Sequence, residues 1–234
     1  MIRLAQGQVT AEINEFGAWV ESLTSGGQAI LFPKTGIINE TGEAKTRGGM
    51  HVCLPNFGPG GNSGLAQHGF GRTSLWSVIQ QNEFSVTIKL EATEPSYAGL
   101  VSILTYHLDD NSLTAHLELS NEGSAPLRVA PGFHPYFALK PTETAVTVND
   151  RTYDLNSLAG TKYVVTEKAQ LHTSTRNISI IQESLTNWAI WTDQLGSYVC
   201  IEPTFGGNRF LEDEKQDELL APGETRAYSL QIKI

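Results

Sequence analysis

Apolar residues in this chain recur at every second position rather than every third or fourth, and that period limits its fold more than any other feature. Phe84, Val86, Ile88 and Leu90 alternate with Ser85, Thr87, Lys89 and Glu91, as in a β-strand with one buried and one solvated face. Leu113, Ala115, Leu117 and Leu119 alternate with Thr114, His116 and Glu118. Asp109-Asp110-Asn111 separates this run from an apolar stretch at 101–108, so the spacing predicts a hairpin. Within 101–108, Val101 and Ile103 fall on one face and Leu104, Tyr106 and Leu108 on the other, which predicts a strand covered on both sides. Further strands are expected at 9–13, 19–23, 28–32, 178–182, 188–191, 198–201 and 227–234. Gly, Asn, Asp and Pro stand between them. Helical stripes are scarce, and neither a linker-like tract nor an internal repeat divides the 234 residues. The expectation is one all-β domain over residues 1–234, built of two facing sheets.

Charge narrows the partners. A net charge of −9 with only 18% charged residues leaves no broad basic surface for nucleic acid, though a local cationic pocket is compatible with it. No apolar run approaches the ~18–20 residues that span a bilayer, and the first eight residues carry no apolar h-region of ~7–15 residues; the expectation is a cytosolic protein that engages no membrane. Cys53 and Cys200 stand alone in apolar stretches without CxxC or Cys/His spacing, so buried thiols are expected rather than a disulfide or a metal site.

Two stretches interrupt the alternation. Residues 46–73 are rich in Gly and Pro and carry Arg47, His51, Asn56, Gln67, His68 and Arg72, the density of polar chemistry expected of a binding loop on a rigid scaffold. Gly58-Pro59-Gly60-Gly61-Asn62-Ser63-Gly64 matches neither GxGxxG nor GxxxxGK[ST], and no helix follows it, which argues for turn glycines and against a nucleotide cradle. Residues 212–218 are acidic and read as a solvated connection.

His134 lies in the aromatic segment Pro131-Gly132-Phe133-His134-Pro135-Tyr136-Phe137, whose prolines predict an edge or bulged geometry. Glu202 closes the run Tyr198-Val199-Cys200-Ile201, and alternation puts it with Cys200 on the face opposite Val199 and Ile201. A carboxylate there either escapes into solvent or is held buried, the environment of a general base. Gln67, His68 and Arg72 offer donors to sugar hydroxyls, and Arg47 with Arg72 offers a forked site for a phosphate or carboxylate. His51, His107, His116 and His172 show no comparable partners, and His107 and His116 read as packing or surface residues. A Ser nucleophile lacks its GxSxG elbow. A glycosidase pair would need a second acid beside Glu202, and Asp150, Asp154 and Asp193 are not distinguished by context.

Five segments in order, 47–58, 67–72, 133–137, 199–203 and 220–224, resemble the aldose 1-epimerase (galactose mutarotase) superfamily, and within it the hexose-6-phosphate 1-epimerase branch. The resemblance implies a β-supersandwich fold. It implies Glu202 as general base, His134 as general acid, and Gln67, His68 and Arg72 as substrate contacts. Arg47 and Arg72 match arginines associated with a 6-phosphate or other anion. It also implies a small-molecule sugar or sugar phosphate as partner and no metal or organic cofactor. The chemistry implied is anomer interconversion by ring opening and closing, with a raised pKa at Glu202 and a protonated His134 at rest. One departure stands out: where relatives carry a sugar-binding aspartate, Tyr163-Val164-Val165 has no acid, and Asp154 is the nearby candidate. A carbohydrate-binding or sensing module that keeps the pocket without turnover is the alternative.

Overall fold

The computed structural model describes residues 1–234. Two antiparallel nine-stranded sheets face each other. In spatial order the first runs Ile2–Gln6, Val9–Asn14, Trp19–Ser25, Met50–Cys53, Gly132–Ala138, Tyr198–Thr204, Asn187–Trp191 and Lys162–Val164, with Gln28–Ala29 added to Trp19–Ser25. The second runs Arg151–Asp154, Ala145–Val148, Lys168–His172, Asn177–Glu183, Thr225–Lys233, Ser112–Asn121, Leu100–Asp109, Ser85–Glu91 and Ser77–Gln81. Helical structure is confined to short 3₁₀ turns. The fold is the all-β supersandwich the sequence led us to expect.

The inner faces share one core cluster of 49 residues. Alternation assigns each side chain to it: Val86, Ile88 and Leu90 point in, as do Leu113, Ala115, Leu117 and Leu119. Asp109 pairs with Ser112, which leaves Asp110-Asn111 as the two-residue turn of the expected hairpin. The two sheets are also tied by a hydrogen bond, the Tyr106 hydroxyl donating to the Ala18 carbonyl at 2.7 Å.

Three expectations need correction. Leu100–Asp109 is not covered on both sides: Leu104, Tyr106 and Leu108 are buried, whereas Ile103, Thr105 and His107 are partly exposed, because the second sheet has a single packed face. Of 28–32, only Gln28–Ala29 pairs as a strand, and Leu31 makes an isolated bridge to Phe137. Pro131 and Pro135 do not mark an edge. Gly132–Ala138 is central, between Met50–Cys53 and Tyr198–Thr204. Its ladder to the latter pairs Gly132 with Thr204 and resumes at Tyr136 with Cys200. Pro135 and Pro203, which have no N–H to give, fall within that gap.

Candidate active site

The same alternation that fills the core builds the opposite face of the first sheet. Met50, Val52, Phe133, Phe137, Val199, Ile201, Trp188 and Ile190 are core residues. Their neighbours His51, Cys53, His134, Tyr136, Cys200, Glu202, Ala189 and Trp191 therefore point the other way, onto the outer face. Gly132 opposite Thr204 and Tyr136 opposite Cys200 put His134 opposite Glu202, inside the proline gap. Ala189 is the cross-strand partner of Glu202 on its other side, and its methyl leaves space above the carboxylate.

Loops wall this face into a cavity of about 480 Å³, a volume suited to a small ligand. Arg47, Gln67, His68, Arg72, His134 and Glu202 all line it, so the six residues singled out from sequence surround one space. His134 Nε2 lies 3.2 Å from Glu202 Oε2, and both side chains are almost fully buried. The imidazole stacks on Tyr136, ring centroids 4.6 Å apart, and meets the edge of Trp191 at 6.1 Å.

Electrostatics at the floor follow from burial. Loss of solvent pushes the Glu202 carboxyl well above the usual carboxylate range. Burial, reinforced by His51, His68, Arg72 and Arg47, pushes His134 well below the ordinary histidine value. Both directions favour the uncharged forms, an imidazole without the extra proton and a carboxyl that keeps its own, and so run against the protonated resting His134 that the resemblance implies. His68 is lowered to about 3 by burial and then by Arg72. Its Nδ1 accepts from the Gly58 N–H at 3.1 Å, so its Nε2 carries the proton and faces the cavity side, where Gln67 lies 3.3 Å away. That contact requires the amide oxygen of Gln67 to be turned toward the imidazole.

The two arginines differ in availability. Arg47 Nε and one terminal nitrogen both lie 2.7 Å from Asp193 Oδ2, and Asp193 also accepts from the Tyr198 hydroxyl. Arg72 donates to the Gln67 carbonyl at 2.9 Å and has no acidic partner. Lys45 also lines the cavity, paired to Glu43 at 2.6 Å. Glu202 is the one carboxylate in the lining. Asp154 is exposed and caps a 3₁₀ turn by accepting from the Asn156 N–H at 2.8 Å; Asp150 is exposed. No second acid lines the cavity; Tyr163 and Asn208 are among its lining residues.

Sequence reasoning set His51 aside, yet it sits under the site. It is the register partner of His134, their rings 4.8 Å apart, and it contacts Trp19 and His68. Its signal was the alternation of Met50-His51-Val52-Cys53, hidden because all four residues are buried. The expected loop at 46–73 contains this central strand. The acidic stretch 212–218 is likewise not wholly solvated: Glu218 is fully buried between Arg128 and Arg209, at 2.6 and 3.2 Å.

Residues 1–178 match the family model described as Aldose 1-epimerase. A Cenchrus ciliaris protein named "Putative glucose-6-phosphate 1-epimerase" is 30% identical over 152 residues, 58% of this chain and 42% of that protein. The match thus spans less than half of that relative's length. Among solved structures, a galactose mutarotase related enzyme from Lactobacillus acidophilus aligns with a TM-score of 0.81 at 17% identity, covering 99% of this chain and 96% of that one. A galactose mutarotase-like protein from Lactobacillus casei aligns with a TM-score of 0.77 at 18% identity over 100% and 99% of the two chains. These likenesses establish a shared fold. With the family model covering well over half of its length, the chain belongs to the aldose 1-epimerase family.

Proposed function

We propose that this protein is a mutarotase that interconverts the α and β anomers of a hexose, with a hexose 6-phosphate preferred over the free sugar. The observation that carries the reading is the buried His134–Glu202 pair, 3.2 Å apart on the cavity floor. Mutarotation needs a proton taken from the anomeric hydroxyl while another is given to the ring oxygen. Both oxygens are bonded to C1, so a base and an acid within hydrogen-bonding distance of each other can serve them together.

The resting pair holds one proton, on the carboxyl. Passing it to His134 Nε2 creates the working form, a carboxylate base beside an imidazolium acid. Glu202 then removes the anomeric proton as His134 protonates the ring oxygen, and the ring opens to the aldehyde. Rotation about C1–C2 followed by the reverse transfers closes it as the other anomer. The low dielectric that disfavours this charge separation at rest also strengthens its action on the sugar. The Gln67 amide N–H groups, with the amide oxygen held by His68 Nε2–H, offer hydrogen bonds to ring hydroxyls, and Tyr136 and Trp191 offer aromatic surface to C–H faces.

Preference for a phosphate rests on Arg72, the lining guanidinium with no acidic partner. Arg47 supports the same charge from its pair with Asp193. Exchange spectroscopy by NMR with glucose 6-phosphate, glucose and galactose tests the activity: acceleration over buffer is expected, fastest for the phosphate. The lack of a second lining acid supports a different reading, a sugar-binding module without turnover. Saturable binding with no exchange on any of the three would select it.

A further inference from the structure

The Glu202 strand also carries a thiol on the same face, beside the acid–base pair. Cys200 lies two residues before Glu202 on the same face, between its register partners Tyr136 and Trp191. It is fully buried, unpaired with any other cysteine, and has no part in the acid–base chemistry. His134, Cys200 and Glu202 place one ligand atom each within 4.8 Å of one another. A tetrahedral zinc site, with bonds of about 2.0–2.3 Å, sets its donors about 3.3–3.8 Å apart. The imidazole–carboxylate separation of 3.2 Å is already close to that spacing, and the thiol sulfur lies within 4.8 Å of both donors.

We propose that His134, Cys200 and Glu202 form a binding site for a borderline-soft divalent cation such as Zn²⁺, and that occupancy switches the acid–base pair off. Imidazole, thiolate and carboxylate are the donor set such an ion takes, whereas Mg²⁺ and Ca²⁺ take oxygen donors. The cavity reaches His134 and Glu202, which would give an ion access to them. On binding, the Cys200 thiol proton and the proton shared by the pair leave to solvent.

Inhibition as a consequence rests on the mutarotase reading; metal binding does not. The experiment therefore has two arms. Titration of the intact protein with Co²⁺ is followed by the thiolate-to-cobalt charge-transfer band. One Co²⁺ per chain is expected, displaced by Zn²⁺, with the band kept in Cys53→Ser and lost in Cys200→Ser and Cys200→Ala. No saturable band in the wild type, or a band that survives in both Cys200 variants, would overturn the proposal. In the second arm, each protein is compared with its own metal-free exchange rate, and the Zn²⁺ inhibition constant of Cys200→Ser is roughly tenfold or more above that of the wild type. Equal Zn²⁺ sensitivity of the two proteins would overturn the inhibitory role. If neither exchanges anomers, the cobalt arm still decides the site, and the failure falls on the mutarotase reading alone.

Discussion

At the scale of single residues, the account turns on two groups whose burial pushes them in opposite directions, Glu202 up and His134 down. Replacing Glu202 with Gln or His134 with Ala removes one positioned proton-transfer group, and each should slow anomer exchange by about 10²–10⁴-fold. Because burial pushes His134 well below the ordinary histidine value, the imidazole should add no protonation step to the rate between about pH 6 and 7, where an ordinary histidine titrates. A rate that follows a single protonation step in that window would show that His134 titrates as a solvated imidazole. Stability carries the same signature. With its folded pKa raised above the unfolded value, Glu202 contributes stability that is fully present below the unfolded value and is lost as pH rises through the interval in which the unfolded chain has given up the proton and the folded one retains it. Wild-type stability should therefore fall through this group as pH rises above ~4.3. Glu202→Gln has no such loss, so thermal unfolding should find it at least as stable as wild type at pH 7, the gap closing near pH 4. Residue types in sequence named the acid–base pair and its neighbours, because a histidine among aromatics and a carboxylate ending an apolar run are chemically conspicuous. They did not single out His51 or Asp193 from the other histidines and acids, because the importance of these two comes from partners 83 residues away across a ladder and 146 residues away through an ion pair.

At the scale of strands and loops, the site is the by-product of period two: the residues that do not enter the core are delivered to the outer face. Alternation made most strands legible from sequence, and where both sides of a strand are covered, as at Met50–Cys53, it gave nothing to read. The prolines were misleading for a related reason. They forbid ladder hydrogen bonds, which is normally an edge property, but a central strand can hold them where pairing lapses, and that gap holds His134 and Glu202. The His68 loop is fixed by close approach. Gly69 has φ +65° and its missing side chain would overlap the Leu54 carbonyl, with the Leu54–Gly69 bridge running parallel beside it. Gly69→Ala should cost roughly 1–3 kcal/mol of stability. It should also weaken sugar binding more than it slows exchange at saturation, because it displaces His68 and Gln67 rather than the pair. Chemical denaturation with KM and kcat measured on the same variant checks both parts.

At the scale of the whole molecule, a chain of net charge −9 gathers Lys45, Arg47 and Arg72 around one cavity, where burial favours the neutral form of Glu202. Such local reversal of sign attracts an anion that the overall charge would repel. Arg72→Ala should raise KM for a hexose phosphate by roughly ten- to a hundredfold, the worth of a charged hydrogen bond, and leave the free sugar nearly unchanged; equal losses for both would remove the phosphate from the account. The central claim, that one buried carboxylate–imidazole pair turns over the anomeric centre, is tested most directly by two-dimensional exchange NMR. Wild type and Glu202→Gln would be compared at matched concentration on glucose 6-phosphate, with folding of both verified by thermal unfolding. The account predicts α/β cross-peaks building up far faster than in buffer for wild type and at the buffer rate for folded Glu202→Gln. Wild-type cross-peaks no faster than buffer, or undiminished exchange in the folded variant, would contradict it.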